Sequence, residues 1–362
     1  MVLSIKNKNI LICPLDWGLG HATRCVPLIR KLKEMGCNLL IAADGRSYEF
    51  MKIEFPELTL IRFPGYEVRY PSDDNMVIKM LLQLPALLWG VLQENRRLKK
   101  LVRKHNIDLV ISDNRFGLWN NAIPSVYITH QITIKCPVSI HWLEPVLYHI
   151  HRFVIAKYSE CWIPDSPDEN NLSGDLSHQR PLPTNTKFIG SLSRFSRVDV
   201  PEKKKFNLAV ILSGPEPQRT QLEQIILEQL ENMNLVSIVI AGKTECNILK
   251  EHKGNLTVVS HLKSAEMQEI LCSSDVALAR SGYSTIMDLA VLGLKAVLVP
   301  TPGQTEQEYL AVRLMEKGIY YSTTQNSLNI TEAILRAKRY SGIKQKTNDV
   351  GWLEETLLNI LS

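Results

Sequence analysis

Residues 279–309 read ARSGYSTIMDLAVLGLKAVLVPTPGQTEQEY, and this stretch decides the fold. A short apolar strand at 276–279 runs into Ser281-Gly282, and a helix follows from about Ser284. Gly282 lets the backbone approach a ligand closely, while Ser281 and Ser284 are natural N-caps. The first amides of such a helix have no intrahelical partner and sit at the positive end of its dipole, which suits a phosphate. Asp288, one turn in, is an acceptor placed to reach a ribose diol just beyond a diphosphate. After the next strand, at 295–299, Pro300 and Pro302 break the chain. Gly303-Gln304-Thr305-Glu306-Gln307-Glu308 then opens another helix with polar groups clustered at its start. Two neighbouring strand ends thus predict one nucleotide-sugar site.

The same alternation of strand and helix extends through both halves of the chain, the pattern of parallel sheets with crossover helices in the α/β class. In the first half it predicts strands at 9–14, 38–43, 58–63, 108–112 and 125–129, a helix over 22–35, and long helical stretches near 76–105 and 140–158. Gly190 to Phe206 is polar and basic without periodicity and reads as a linker. Beyond it, strands at 208–213, 236–241 and 256–259 and helices over 218–232 and 265–272 lead into the decisive stretch. The expected organisation is an acceptor-binding Rossmann-like domain over 1–190 and a nucleotide-sugar domain over 191–345. A helix within 346–362 should pack back on the first domain.

With 362 residues, 45% hydrophobic and 22% charged, the chain has room for two ordinary globular cores. A net charge of +5 fits an anionic substrate or membrane surface and is too diffuse to argue for nucleic acid. Seven scattered cysteines without a CxxC pair predict reduced thiols of a cytoplasmic protein rather than a disulfide frame or zinc site. The N-terminus lacks a signal-peptide core, and no apolar stretch reaches the ~18–20 residues that span a bilayer.

A second glycine loop, Asp16-Trp17-Gly18-Leu19-Gly20-His21-Ala22-Thr23-Arg24, follows the first strand. It lacks the third glycine of a dinucleotide fingerprint, and no acidic residue closes the second strand at the required spacing. His21 and Arg24 project one turn apart from the carboxyl edge of the sheet, where open α/β sheets place ligands. A histidine there can act as general base or hold a reacting hydroxyl; capping or packing is the structural alternative. Ser112-Asp113-Asn114-Arg115 and Thr129-His130-Gln131 follow later strands and suit an acceptor pocket, unless Asp113 and Arg115 pair with each other. The remaining histidines show no ligand spacing, so no metal is expected. Asp73-Asp74 is a bare acidic pair in a polar loop and reads as solvated.

Assembled, these residues resemble a glycosyltransferase of the GT-B fold. They are most similar to family 28, whose best-known member adds N-acetylglucosamine to the lipid-linked muramyl pentapeptide of peptidoglycan. Arg280-Ser281-Gly282, with Tyr283 and Ser284 behind it, resembles the family's phosphate-binding turn. Asp288 stands in place of a ribose-binding glutamate, and Gln307-Glu308, with Gln304 nearby, in place of paired glutamines that contact the donor sugar. Gly18-x-Gly20-His21 is similar to the first glycine loop, and Ser213-Gly214 with Gln218 to the second-domain loop. Arg194 resembles an interdomain arginine that reaches the nucleotide, and Leu262 would lie near the base. Departures at Asp288, Glu308 and Pro215-Glu216-Pro217 put the donor sugar in question, and His130-Gln131 replaces a His-Glu pair, which puts the acceptor in question.

The resemblance implies an inverting, metal-independent transfer from a UDP-sugar to an acceptor hydroxyl, lipid-linked or free, with His21 as base. It needs no cofactor beyond the sugar nucleotide. Two other readings share the residues. A nucleotide-sugar hydrolase or epimerase would use His21 to activate water, and a non-catalytic subunit would only bind. Finally, 76–92 is strongly apolar and Arg96, Arg97, Lys99, Lys100, Arg103 and Lys104 follow at once. An apolar patch with a basic fringe suits the inner face of the cytoplasmic membrane; a helix packed on the sheet with a solvated end is the alternative.

Overall fold

The computed structural model describes residues 5–65, 76–197, 201, 203–244, 249–343 and 352–361, with the helical backbone alone for 76–84. Asp73, Asp74, Cys246 and linker residues 198–200 and 202 lie outside the described residues. In the first half, strands β1 (Asn9–Pro14), β2 (Asn38–Ala43), β3 (Thr59–Arg62), β4 (Leu109–Asp113), β5 (Ser125–Ile128), β6 (Glu160–Ile163) and β7 (Thr186–Phe188) form one parallel sheet. Its order is β3-β2-β1-β4-β5-β6-β7. Ile10 to Cys13 of β1 are all fully buried, as strands covered by helices on both faces must be. Those helices are α1 (Leu19–Glu34), α2 (Gly45–Glu54), α3 (Met76–His105), α4 (Glu144–Ile155) and the short α5 (Asp175–His178).

The second half repeats the plan. Strands β8 (Phe206–Ile211), β9 (Ser237–Ile240), β10 (Lys250–Lys253), β11 (Leu256–Val259), β12 (Ser274–Ala279), β13 (Ala296–Leu298) and β14 (Tyr321–Ser322) take the order β10-β11-β9-β8-β12-β13-β14. Among the described strands only the edge strand β10, whose residues are all exposed, runs antiparallel. Helices α6 (Gln218–Glu231), α7 (Ser264–Cys272), α8 (Tyr283–Leu292), α9 (Thr305–Glu316) and α10 (Ile330–Ala337) cover this sheet. Helix α11 (Trp352–Leu361) returns to the first: Leu353 and Leu357 are fully buried among Ile10, Ile12 and Ile29, and the Trp352 ring meets Trp162 edge-on at 5.2 Å.

Element boundaries differ from expectation where local geometry intervenes. Helix α1 starts at Leu19 rather than Ala22, because Gly18 turns the chain at φ 144°, a conformation side chains disfavour, and places the second half of the glycine loop inside the first helical turn. Strands β6 and β7 are absent from the sequence reading: four and three residues long, they carry too little pattern to stand out. The 140–158 stretch divides into a 3-10 turn, Val138–Leu143, and α4, with Pro145 in the first turn of the latter. Leu172 and Leu176, on the first-sheet side of the linker, bury their side chains in the second core with Phe195 and Leu289.

Leu357→Ala should lower unfolding free energy by about 2–5 kcal/mol, the cost of a cavity at a fully buried leucine, measured by urea titration. A loss within about 0.5 kcal/mol, the value of a surface change, would mean that α11 does not seal the first core.

Candidate active site

The carboxyl ends of β1, β4 and β5 face those of β8, β12 and β13 across a cleft of about 370 Å³. On the first-sheet side the glycine loop opens α1. Its N-terminus has no side-chain cap, so the positive end of the helix faces the cleft through Gly18, Gly20 and His21. Beneath His21 lies Asp113, the last residue of β4 and fully buried. Its carboxylate accepts from both Nε and Nη2 of Arg24 and sits 2.7 Å from Nδ1 of His21. An ionised carboxylate can only accept, so the imidazole proton sits on Nδ1 and Nε2 is left as a free base. Arg24 Nη2, 3.0 Å from the same Nδ1, is then an electrostatic neighbour.

The titration behaviour follows. Burial alone would raise Asp113, but the charges of Arg24 and then His21 hold it below the usual carboxylate range. Burial, reinforced by Arg24, lowers His21 below an ordinary imidazole while Asp113 opposes this, so His21 is neutral at pH 7. Arg24 also donates from Nη1 to Nδ1 of His130 at 3.0 Å. An arginine cannot accept, so Nε2 of His130 carries the proton and donates to Glu306 Oε1 of the second domain at 2.8 Å.

On the second-sheet side, β12 ends in the turn quoted at the outset. Gly282, not a serine, is the N-cap of α8 and supplies no side-chain bond. The expected caps are spent elsewhere: Ser281 Oγ donates to Gln307 O at 2.8 Å, and Ser284 Oγ to Gly20 O at 2.7 Å. The first helical bond runs from Ile286 N to Gly282 O, so the amides of Tyr283 to Thr285 precede the ladder and open on the cleft. Two helix N-termini, α1 and α8, therefore converge on one point. Asp288, one turn along α8, lines the cleft while accepting from Ser193 Oγ at 2.6 Å and Arg194 Nε at 3.1 Å. Burial raises its pKa, and Arg194 counters that.

Several links close the domains. The Tyr283 ring stacks on His130 with centroids 4.1 Å apart and planes 2° from parallel, and its hydroxyl donates to Pro164 O at 2.9 Å. Glu306 accepts from His130 and from Gln131 Nε2; His130 then holds its carboxyl below the usual range against the raising effect of burial. Helix α2 clasps the other end: Arg46 donates to the carbonyls of Gly214 and Gly242, and Glu54 accepts from Ser264 N and Oγ at the start of α7 at 3.1 and 3.0 Å.

Of the residues singled out in the sequence, Gly18, Gly20, His21, Arg24, Asn114, His130, Arg194, Ser213, Gly214 and Leu262 line the cleft. So do Gly282, Tyr283, Ser284, Asp288, Gln304 and Gln307. Others move. Arg115 does not meet Asp113: buried, it binds Glu94 Oε1 at 2.7 Å and Phe63 O at 3.0 Å, away from the cleft. Arg280 lies beneath the turn, bonded to Val299 O, Pro300 O, Gln218 O and Gln325, so Arg280 and Gln218 brace the floor rather than reach a ligand. Burial drops Arg280 to about 10. Glu308 is exposed and accepts from Gly303 N, because the pitch of α9 turns it outward and presents Glu306 and Gln307 instead. Glu306, Arg46 and Glu54 escaped the sequence reading. Glu306 sits in the quoted polar cluster, but its partners are about 175 residues away.

Asp113→Asn should cost about 3–5 kcal/mol at pH 7 by leaving Arg24 buried and unpaired. The folded pKa of Asp113 lies below its unfolded value, so its contribution is present above the unfolded pKa and lost as pH falls through the folded one. Urea titrations should therefore show the wild type and the variant converging in acid, and a constant difference would refute the ion pair.

Residues 211–350 match the model of the glycosyltransferase family 28 C-terminal domain. The chain is 20% identical to an uncharacterised glycosyltransferase of Methanopyrus kandleri over 333 residues, 85% of this chain and 91% of the relative. It is 26% identical over 219 residues, 54% of this chain and 64% of the other, to the UDP-N-acetylglucosamine--N-acetylmuramyl-(pentapeptide) pyrophosphoryl-undecaprenol N-acetylglucosamine transferase of Campylobacter jejuni subsp. doylei. Among solved structures, the glycosyltransferase SnogD from Streptomyces nogalater is similar with TM-score 0.58 at 15% identity, covering 99% of this chain and 100% of that one. MurG from Acinetobacter baumannii is similar with TM-score 0.51 at 12% identity, covering 98% and 99%. The chain is thus a glycosyltransferase of GT-B fold, and its second half, over 211–350, matches the family 28 C-terminal domain.

Proposed function

We propose that the protein is an inverting, metal-independent transferase that moves a sugar from a UDP-sugar to a hydroxyl of a lipid-linked acceptor. The observation that carries this reading is the His21–Asp113 pair standing against the uncapped N-terminus of α8, with Ser284 bonded to Gly20 between them. The acceptor oxygen attacks the anomeric carbon from the face opposite the diphosphate. As the new C–O bond forms, the bond to the phosphate oxygen breaks, and His21 Nε2 takes the acceptor proton. Asp113 stabilises the resulting imidazolium. Negative charge on the departing UDP falls on the amides of Tyr283 to Thr285 and on the converging helix ends, donors worth a few kcal/mol each when placed beforehand. These supply the charge that a divalent metal otherwise brings. Glu306 and Gln307 face the sugar hydroxyls, and Asp288 with Arg194 faces the ribose.

His21→Ala should lower sugar transfer by about 10²–10⁴-fold while leaving UDP affinity within about twofold, since the imidazole acts on the acceptor. UDP release from a panel of UDP-sugars, with and without a polyprenyl phosphate lipid extract, measures the first quantity, and calorimetry the second. Free sugar released at full rate without acceptor would favour hydrolysis instead. UDP binding without turnover under any condition would leave only a binding subunit.

The acceptor half of the cleft has an apolar wall of Ile134, Pro137, Ile140 and Leu147. The same segment continues outward into exposed Val138, Trp142, Val146, Ile150 and Phe153, and α3 exposes Leu88, Trp89 and Leu92. A cation from each segment, Lys99 of α3 and Lys157 just after α4, lies over the ring of Trp119, at 5.6 and 4.7 Å. No helix among the described residues is long and apolar enough to cross a membrane. An apolar face with a cationic fringe inserts into the interface of an anionic leaflet. This extends the contact expected of 76–104 onto α4 and would bring a lipid-linked acceptor to the cleft. The protein should sediment with phosphatidylglycerol vesicles and not with pure phosphatidylcholine, and the double variant Trp142→Ser, Phe153→Ser should lose that binding. Sedimentation of the variant equal to wild type would remove α4 from the contact.

A further inference from the structure

We infer that His261 reads the base of the donor nucleotide, its Nε2 accepting the N3–H of uracil. This rests on the nucleotide-sugar reading of the cleft and adds to it a residue that selects the base. From the phosphate-facing turn after β12, the strand order passes through β8 and β9 to β11. Three strand spacings cover about 14 Å, enough for a diphosphate at one end, a ribose between and a base at the other. Contacts trace the same path. Asp288 binds Arg194, and Arg194 Nη2 lies 2.9 Å from Met267 Sδ. Met267 lines the cleft with Ile240 and Leu262, apolar side chains that suit the faces of a flat ring. His261 stands at that end, immediately after β11.

The polarity of the imidazole is fixed by its surroundings. Nδ1 lies 3.0 Å from Lys243 O and 3.4 Å from Ser260 Oγ; the nearer carbonyl only accepts, so the proton of the neutral ring is on Nδ1 and the hydroxyl is the weaker neighbour. Nε2 then carries a lone pair. It bonds to no described residue, although the side chain is 6% exposed and lines the cleft. A fixed acceptor at this place complements an imide N–H. Uracil presents one at N3, whereas cytosine presents a lone pair there, which would face the lone pair of Nε2. Thr244, on the same wall, has a buried hydroxyl without a partner among the described residues, a donor suited to a carbonyl flanking N3. The structural alternative is a histidine that merely ties Lys243 to the loop after β11, and the two make different predictions.

Isothermal titration with UDP and CDP separates them. The wild type should bind UDP at least about tenfold more tightly than CDP, the effect of one hydrogen bond exchanged for an unpaired acceptor. His261→Asn keeps an N–H near the Nδ1 position for Lys243 O but has nothing at Nε2. It should lose about tenfold in UDP affinity while CDP changes by less than about twofold, so that the preference vanishes. His261→Gln, with an amide oxygen near the Nε2 position, should retain part of the preference. Retained CDP binding reports that each variant is folded. If the wild type binds UDP and CDP equally, or the Asn variant keeps the preference, the assignment of His261 is overturned while the donor site stands. If neither nucleotide binds the wild type, the nucleotide-sugar reading falls and this inference with it.

Discussion

A carboxylate buried without access to water is the constraint on which the site depends. Asp113 ends the central strand β4 in an interior that would force it to neutralise, were Arg24 not beside it with a two-pronged donor. Because the pair is buried, its geometry is rigid, and each remaining polar atom must find a partner. Arg24 spends its other amino group on His130, and Asp113 spends a lone pair on His21. The imidazole is thereby held in the tautomer and orientation that a base requires. One buried ion pair so fixes the positions of two histidines, one in the wall of the cleft and one at the domain boundary. Lysine in place of Arg24 would satisfy the charge but could not hold both.

The second domain answers with backbone rather than side chains. The serines that would ordinarily cap α8 are diverted, one to Gln307 and one across the cleft to Gly20. Among the described residues no side chain caps the helix, and its positive end lines the cleft opposite the equally uncapped α1. Two like helix ends facing each other are unfavourable in isolation. Asp113 and Glu306, with depressed pKa values, supply the opposing charge.

Much of this was legible in the chain, and what was not has a physical cause. The turn at Ser281-Gly282, the loop at Gly18 to His21 and the repeated strand–helix alternation are local patterns, and the two parallel sheets follow from them. Strands β6 and β7 were invisible because runs of four and three residues carry almost no periodicity. Arg115 and Glu308 look like binding residues in one dimension. Arg115 turns away to Glu94 on α3, whereas Glu308 is turned outward by the pitch of α9 and accepts from nearby Gly303, a local cause that its place in the polar cluster hides. Glu306 and the clasp of Arg46 and Glu54 were missed because their partners belong to the other domain. Local chemistry announces itself in sequence, whereas pairing across a domain boundary does not.

That boundary is itself informative, because it is made of bonds that a substrate can replace. The link between Ser284 and Gly20 occupies the space between the two helix ends, where a diphosphate would compete for the hydroxyl. Glu306 meets His130 and Gln131 through a carboxylate that sugar hydroxyls could equally satisfy. By contrast, the clasp of α2 on the loops after β8 and β9 and on α7 lies at the nucleotide end, beyond the reacting atoms. The domains are thus held at one edge by the clasp of α2 and at the centre by polar links whose groups a ligand could satisfy instead. Replacing polar links one for one costs little, since the buried groups exchange one partner for another rather than losing it. Under the proposed reading a bound donor would therefore take over these central links without stranding a buried charge.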